Sequence, residues 1–241
     1  ILAKRNAGRA PQRFRLTALL AWAIGAGAAL LSHFFAPVLS DAVVGLVVGC
    51  LAYLALEGLI VTLKLKPGAL VTEKQLIELS GHGRTPVREA IQKLEWQGLI
   101  VVRPRAGLQI AAIRPDDHAD VMTTRRQLEP LAAALVARHA SDAQRERLVA
   151  CAQAMTACSI NSDIEGFLAA DKTFDEIMEE ACPNRFLIAA LASLQTHARR
   201  LWFTRADSRR MDRSVDLHVK VIRAIRNGDP AAASAAMTDL L

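Results

Sequence analysis

Two arginines, Arg84 and Arg88, lie four residues apart and flank a Thr85-Pro86 pair. A Thr-Pro pair is typical of a helix start, with threonine as the N-cap and proline as the first helical residue. Apolar residues then recur at helical spacing until Gly98, which predicts the end of the helix. Both guanidinium groups are therefore expected near a helix N-terminus, where each can bind N7 and O6 of a guanine or clamp a phosphate. The threonine adds a hydroxyl and helix-terminal N–H groups that suit a phosphate.

The elements around this helix predict how it is positioned. A short helix over Thr72–Leu79 precedes it, and the turn Ser80–Gly83 joins the two, which is a helix-turn-helix pattern. Two β-like runs follow, Leu99–Arg103 and Leu108–Ile113, and Pro104–Gly107 forms a hairpin loop with a basic tip between them. The predicted hairpin is a wing beside the second helix.

Charge separates this segment from the rest of the chain. Residues 64–114 carry nine Lys and Arg against four acidic residues, a net charge of +5. Residues 115–241 carry sixteen basic and eighteen acidic residues, a net charge of −2. A compact basic segment beside a mildly acidic one fits a nucleic-acid module joined to a sensor, although an ordinary solvated surface gives a similar balance.

The basic segment resembles the winged helix of GntR-family regulators. The resemblance spans residues 54–113 and centres on Arg84–Ala90, which reads RTPVREA. One departure is Gly83, where the family usually has serine, and the first helix is expected near Tyr53–Leu63, merged with an apolar run. The resemblance implies that DNA is contacted by seven residues: Lys74, Arg84, Thr85, Pro86, Arg88, Arg105 and Gly107.

After residue 114 the pattern predicts only helices, with a strong stop and restart at Asn227–Pro230. The predicted helices cover roughly 117–139, 142–157, 163–181, 185–204, 212–227 and 230–241. This part resembles the FCD ligand-binding domain of the FadR-type subfamily, through Arg125–Ala140, Asp163–Asn184 and His218–Met237. The resemblance implies a homodimer that binds a palindromic operator and responds to a small-molecule effector, by family analogy a carboxylate.

The expected fold is mainly α: a winged helix-turn-helix over 54–114, then an all-helical FCD bundle over 115–241, preceded by an apolar helical hairpin in residues 1–53. The expected function is a transcription regulator, most often a repressor, without enzymatic activity. No hydrolase, phosphate-loop, dinucleotide or metalloprotease motif occurs in the sequence. The four cysteines show no zinc or disulfide spacing, which favours free thiols in a reducing cytoplasm.

The FCD resemblance also implies a divalent metal. Many members hold the metal through an aspartate, a histidine four residues later and two further histidines. Asp171 and His218 match two of these positions, and Asp175 stands at the second. The two aspartates are at i,i+4 and so share one helix face. With His218 they predict a site for zinc, manganese, nickel or iron, completed by water or an effector carboxylate.

Two alternatives stay open for the pocket residues. Leu240, near the fourth ligand position, cannot bind a metal, so the aspartates could instead belong to a metal-free pocket and pair with Arg199 or Arg200. Arg125 matches an arginine that family members place in the pocket, where it could clamp an effector carboxylate. It is also four residues before Glu129, which allows an ordinary ion pair.

The N-terminal segment is unusually apolar. Residues 16–40 carry no Lys, Arg, Asp or Glu, and a second run, Ala42–Leu63, is interrupted only by Glu57. Basic residues on both sides predict a hairpin with cytoplasmic ends if residues 16–63 enter a membrane. Residues 16–56 resemble the last helix pair of nucleobase:cation symporter permeases. A membrane-tethered or permease-derived regulator, a fusion or misjoined reading frame, and a soluble hairpin in a cytoplasmic protein are the alternatives.

Overall fold

The computed structural model describes residues 43–105 and 107–241. In it the second apolar run is a helix, α1 (Val43–Val61). Within the described residues, 43–51 and 52–241 belong to two separate units. Within the second unit, Ala52, Leu56 and Ile60 recur every four residues and are fully buried. This spacing places them on one face of the helix, and the C-terminal half of α1 therefore belongs to the core of a globular unit.

Two further helices, α2 (Glu73–Ser80) and α3 (Arg84–Trp96), form the helix-turn-helix. Thr72 caps α2, because its hydroxyl accepts the Gln75 N–H at 3.2 Å while the Gln75 side chain accepts the Thr72 N–H at 2.8 Å. The helix ends at Gly81, whose φ of 70° is left-handed and favours glycine.

The start of α3 differs from the sequence prediction. The N-cap is Gly83 and not Thr85, because α3 begins at Arg84 and Gly83 accepts the Val87 N–H at 3.2 Å. Glycine adopts the extended N-cap conformation but supplies no capping oxygen. Thr85 therefore lies inside the first helical turn, where backbone N–H groups have no intrahelical partner.

A three-stranded antiparallel sheet forms the wing. Strands β1 (Leu70–Val71), β2 (Ile100–Arg103) and β3 (Gly107–Ile110) lie in the order β1-β3-β2. Ile100 pairs with Ile110 at the buried end, and Arg103 pairs with Gly107 next to the tip. The predicted hairpin is confirmed, with the second strand shorter than expected.

Residues 117–241 form an all-helical bundle, and each predicted helix is present. Its helices are α4 (Asp117–His139), α5 (Asp142–Ile160), α6 (Ile164–Ala181), α7 (Arg185–Phe203), α8 (Ser208–Arg226) and α9 (Pro230–Leu240). Helix α8 begins four residues earlier than predicted, because the Asp207 carboxylate caps it by accepting the Arg210 N–H at 2.8 Å. The predicted stop and restart before α9 is confirmed, since Asp229 caps that helix.

The predicted N-terminal hairpin is only partly within the described residues. Its first predicted arm, 16–40, lies outside them, and α1 covers the second apolar run. By length and composition α1 could cross a membrane, and 28% of its most apolar window is buried inside the protein. Glu57, on the same helix, is also buried and bonded to other helices. Because its C-terminal half packs in a protein core, α1 does not support the membrane alternative.

Candidate functional site

The two predicted base-contacting arginines are held side by side by one carboxylate. Arg84 and Arg88 project from the first turns of α3 and are largely exposed. Each donates its Nε–H to Glu73 on α2, at 3.1 Å and 2.9 Å to Oε1, respectively. Because Nε is engaged, the terminal nitrogens of both guanidinium groups are the donors left to face outward. Glu73 was not identified from the sequence, and only the folded turn brings it to these arginines.

The charges of Glu73, Arg84 and Arg88 stabilise this arrangement and leave it with a net positive charge. The hydrogen bond and charge of Arg88, followed by those of Arg84, hold the pKa of Glu73 below its usual range. The carboxylate is therefore ionised at neutral pH, and it leaves one net positive charge on the three side chains. A surface of this kind attracts phosphate while keeping two forked donors oriented.

The other predicted contact residues lie on the same half of the molecule. Lys74 follows Glu73 on α2 and is exposed, with only a distant pair to Glu78 at 3.9 Å. Thr85 is exposed and Pro86 half-buried in the first turn of α3. The backbone N–H groups of this turn have no side-chain cap, so they are available to a phosphate oxygen.

The wing tip presents a basic residue in a constrained backbone. Arg105 is exposed and has a φ of 65°, while Gly107 has a φ of 97°. The positive φ of Gly107 favours glycine, while a Cβ there would lie 3.4 Å from the Val71 carbonyl oxygen, close to an ordinary contact distance. The glycine thereby shapes the tip that carries Arg105.

A second site lies inside the helical bundle, as a cavity of about 150 Å³. Charged side chains from α4, α6, α7 and α8 face it together with two aromatic rings, whose centroids are 5.0 Å apart. The lining residues that matter here are Arg125, Phe167, Asp171, Arg199, Trp202 and His218. The predicted pocket residues are thus brought to one cavity, although their partners differ from the metal-site prediction.

Asp171 and His218 form a buried pair. Oδ1 of Asp171 lies 3.1 Å from His218 Nε2, and His218 Nδ1 lies 2.8 Å from the Ser214 carbonyl oxygen. Burial lowers the pKa of His218, but Asp171 and the Ser214 carbonyl outweigh burial and leave it raised. The carboxylate pKa of Asp171 is held low in turn, chiefly by His218 against the effect of burial. An imidazolium that donates from both nitrogens satisfies both acceptors.

Asp175 is engaged by an arginine. It bonds to Arg199, and it also accepts the Gln195 side-chain N–H at 3.0 Å. Burial and the neighbouring Asp171 carboxylate raise the pKa of Asp175 to about 7, against the opposing charge of Arg199. The alternative in which the aspartates pair with Arg199 is therefore the arrangement found, whereas Arg200 donates to the Ala111 carbonyl oxygen instead.

The predicted metal ligands do not fit a divalent ion in this arrangement. His218 has the geometry of a metal ligand, because its Nδ1 is held by a backbone carbonyl. Asp175, however, is occupied by the Arg199 guanidinium, and Leu240 lines the cavity near the fourth position. Among the described residues, no group of three or more His, Cys, Asp and Glu is arranged to hold a metal. Asp171 and His218 alone are too few ligands for a protein-bound zinc.

Arg125 combines both of its sequence alternatives. It lines the cavity, and it makes a bidentate pair with Glu129 through bonds of 2.7 Å and 3.0 Å. Burial lowers the pKa of Arg125, and Glu129 more than reverses that shift. The guanidinium is fixed and permanently charged beside the cavity.

Buried polar contacts join the pocket wall to the winged helix. Glu57 on α1 bonds to Lys172 on α6 and accepts the Thr196 hydroxyl on α7 at 2.9 Å. His197 on α7 contacts the Gln97 carbonyl oxygen, at the end of α3, at 2.9 Å. No signal in the sequence indicates the contacts of Glu57 and His197, because their partners are 100 or more positions away in sequence.

Comparisons with known proteins agree with this architecture. The model of bacterial regulatory proteins of the gntR family matches residues 51–110, and the FCD domain model matches residues 120–241. These matches give no support to a membrane-tethered regulator, nor to the permease resemblance of the segment before them.

Individual relatives show the same class of protein. The chain is 27% identical over 175 residues to the "Probable D-xylose utilization operon transcriptional repressor" of Paenarthrobacter nicotinovorans, covering 73% of this chain and 77% of that protein. It is 31% identical over 130 residues to an HTH-type transcriptional regulator from the TAR-I ttuE-ttuC' intergenic region of Agrobacterium vitis, covering 53% of this chain and 76% of that protein.

Among solved structures, E. coli McbR/YncC matches with a TM-score of 0.69 at 17% identity, covering 80% of this chain and 92% of that one. A GntR transcriptional regulator from Rhodococcus sp. RHA1 matches with a TM-score of 0.61 at 19% identity, covering 76% and 88%. At these identities the likeness shows the fold. Together with the family matches, it establishes that the chain belongs to the gntR family of bacterial transcription regulators, with a DNA-binding winged helix followed by an effector-binding FCD domain.

Proposed function

We propose that this protein is a homodimeric repressor that binds a palindromic operator through α3 and the wing, and that a small carboxylate in the FCD cavity controls binding. The observation that carries the proposal is the pair Arg84 and Arg88, which Glu73 fixes at the exposed start of α3, where no side chain caps the helix. Two such helices related by two-fold symmetry match two half-sites of a palindrome.

The proposal assigns a role to each part of the winged helix. Arg84 and Arg88 read guanine edges, while Lys74 and Thr85 contact phosphates and Pro86 fixes the first turn. Arg105 enters the minor groove at the wing tip, and Gly107 permits the tip to form. The functional division follows the sequence prediction: residues 54–114 bind DNA, residues 115–241 bind the effector, and residues 1–53 precede both.

The effector part of the proposal is supported by charge. Arg125 and Arg199 line the cavity, and Arg205 and Arg210 lie at its exposed side. Their positive charges favour an anion, and a carboxylate can accept two parallel N–H bonds from a guanidinium. In this proposal the Asp171, Asp175 and His218 group binds and orients, without catalysing a reaction, and the protein acts in the cytoplasm, where the DNA is. The metal at these three residues stays a prediction that the Arg199 contact does not favour.

The test is binding of the full chain to fluorescent duplexes from the promoter region beside its gene, measured by anisotropy over a range of salt concentrations. We expect tight binding that weakens steeply with salt. The double substitution Arg84→Ala and Arg88→Ala should weaken binding about a hundredfold, since each bidentate contact to guanine contributes roughly tenfold or more.

The matched control removes two exposed bundle arginines, by Arg138→Ala and Arg223→Ala, and so changes the net charge equally. It should stay within about twofold of the unaltered protein, because the lost charges lie away from the proposed interface. Equal binding by the two double variants would show that α3 does not read the DNA.

A further inference from the structure

A buried cation in the wall of the effector cavity belongs to the protein itself. Arg199 is 8% exposed, and its guanidinium faces three carboxylates. It bonds to Asp175 and lies 3.8 Å from Asp171, both on α6, and 3.7 Å from Glu57 on α1. It also donates to the Thr196 hydroxyl at 3.2 Å. A single buried side chain thus reaches the cavity and the winged helix at once.

The position of Arg199 makes a resident metal unnecessary for anion recognition. A divalent ion bound by Asp171 and Asp175 would lie against the Arg199 guanidinium and meet its positive charge. The guanidinium carries a permanent charge and five N–H donors, so it can hold the two aspartates and still offer a donor to a ligand. The electrostatic role that a metal would have is therefore already filled.

The size and lining of the cavity limit the ligand. A cavity of about 150 Å³ is the size of one that accepts benzene. Phe167 and Trp202 form an aromatic wall, and Leu240 adds an apolar surface. A matching ligand has one carboxylate for the arginines and an apolar part no larger than a single ring.

Arg199 also connects the cavity to the DNA-binding half. Its approach to Glu57, at 3.7 Å, is longer than its direct bond to Asp175. Glu57 follows Leu56 in the buried face of α1. An anion that draws the guanidinium into the cavity weakens the attraction between Arg199 and Glu57, and so changes how α1 is held against α7. A ligand shifts the DNA-binding equilibrium only through such a difference between two states.

We propose that Arg199 replaces the metal of the FCD site: it binds the carboxylate of a small organic anion without any metal and transmits occupancy to the winged helix through Glu57. This deepens the proposed function and rests on it for the DNA-linked part. The metal-free recognition of the anion can be tested without DNA, so a failure here is distinct from a failure of DNA binding.

The first experiment uses metal alone. Untagged full chain, freed of metal with EDTA and dialysed, is titrated with Zn²⁺ and Ni²⁺ in a calorimeter. We expect no saturable site at micromolar metal in the unaltered protein. Arg199→Gln frees Asp171, Asp175 and His218 and should bind Zn²⁺ at least tenfold more tightly, and His218→Gln in that background should abolish the gain. One tight Zn²⁺ per unaltered chain, lost in His218→Gln, would overturn the proposal.

The second experiment tests the ligand class. Thermal unfolding of the full chain is followed in EDTA with acetate, propionate, succinate or benzoate, and with the uncharged amide of each. We expect at least one carboxylate, and none of the amides, to raise the unfolding temperature. Arg199→Lys keeps the charge but loses the planar fork, so it should weaken that carboxylate at least tenfold, while Arg138→Lys should not. Stabilisation that requires added Zn²⁺, or no response to any carboxylate, would contradict the proposal.

Discussion

Glu57 provides a quantitative test of how the two halves are joined. Its side chain is 4% exposed and has three partners in the bundle: Lys172, Thr196 and Arg199. Removing one partner of a buried ion pair costs about 3–5 kcal/mol. Glu57→Gln should cost less, about 2–3 kcal/mol, because glutamine still accepts from Thr196 and the Lys172 side chain, 25% exposed, can reach water.

The pH dependence of this loss follows from the carboxyl pKa. Burial raises the pKa of Glu57, but Lys172 and Arg199 outweigh burial and hold it below its usual 4.5. A carboxyl with a depressed folded-state pKa stabilises the protein fully above its unfolded pKa, and this contribution is lost as pH falls through the folded value. The difference between the unaltered protein and Glu57→Gln should therefore be full at pH 7 and shrink below about pH 4.5.

The assay is urea unfolding of the full chain at pH 7 and at several pH values below 4.5, with Lys172→Gln and the double variant completing a cycle. We expect the losses in unfolding free energy of the two single variants to add up to about 1 kcal/mol more than the loss of the double variant, which is the coupling energy of the two neighbouring charges. A Glu57→Gln protein within 0.5 kcal/mol of the unaltered one at pH 7 would refute the buried-pair reasoning.

Four further substitutions test the winged helix. Glu73→Gln should lower the ratio of operator affinity to non-specific affinity about tenfold, because Arg84 and Arg88 lose their shared carboxylate while the net positive charge rises. Competition with unrelated duplex measures this ratio. An unchanged ratio would exclude a positioning role for Glu73. Gly81→Ala should destabilise the protein by about 1 kcal/mol, because Gly81 has a left-handed φ that alanine adopts only with strain. Gly58→Ala is the control: Gly58 lies on α1 with open space around it, so alanine should stabilise the protein by roughly 0.5 kcal/mol. Thermal unfolding measures both changes. Arg105→Ala should reduce the slope of log affinity against log salt by about 0.9, the contribution of one phosphate-neutralising side chain, and an unchanged slope would remove the wing tip from the interface.

Local signals made the helices and the wing predictable. The N-cap at Thr72, the stop at Gly98 and the restart at Asp229 each depend on residues within a few positions, and the structure places helix ends there. The same local logic failed at the start of α3, where a Thr-Pro pair looked like the cap. Gly83 is the N-cap instead, because this extended glycine, two residues before Thr85, accepts the Val87 N–H through its carbonyl oxygen.

Long-range contacts explain what the sequence left open. Glu57 looks like an interruption in an apolar run, and only the fold shows that it meets Lys172, 115 positions later. Arg199 and Arg200 are adjacent and chemically identical, yet α7 turns one toward the aspartates and the other toward the Ala111 carbonyl. Tertiary packing decides which of these two arginines faces the cavity, and the spacing of residues in the sequence does not predict it.

The most direct test of effector control measures the coupling between the effector cavity and DNA. Operator affinity of the full chain is determined by anisotropy, in EDTA, without and with a saturating amount of the carboxylate that stabilises the protein most. We predict that the operator Kd changes by about 5- to 150-fold, and that saturating operator changes the carboxylate Kd by the same factor. An operator Kd that is identical in the presence and absence of bound carboxylate would contradict this prediction.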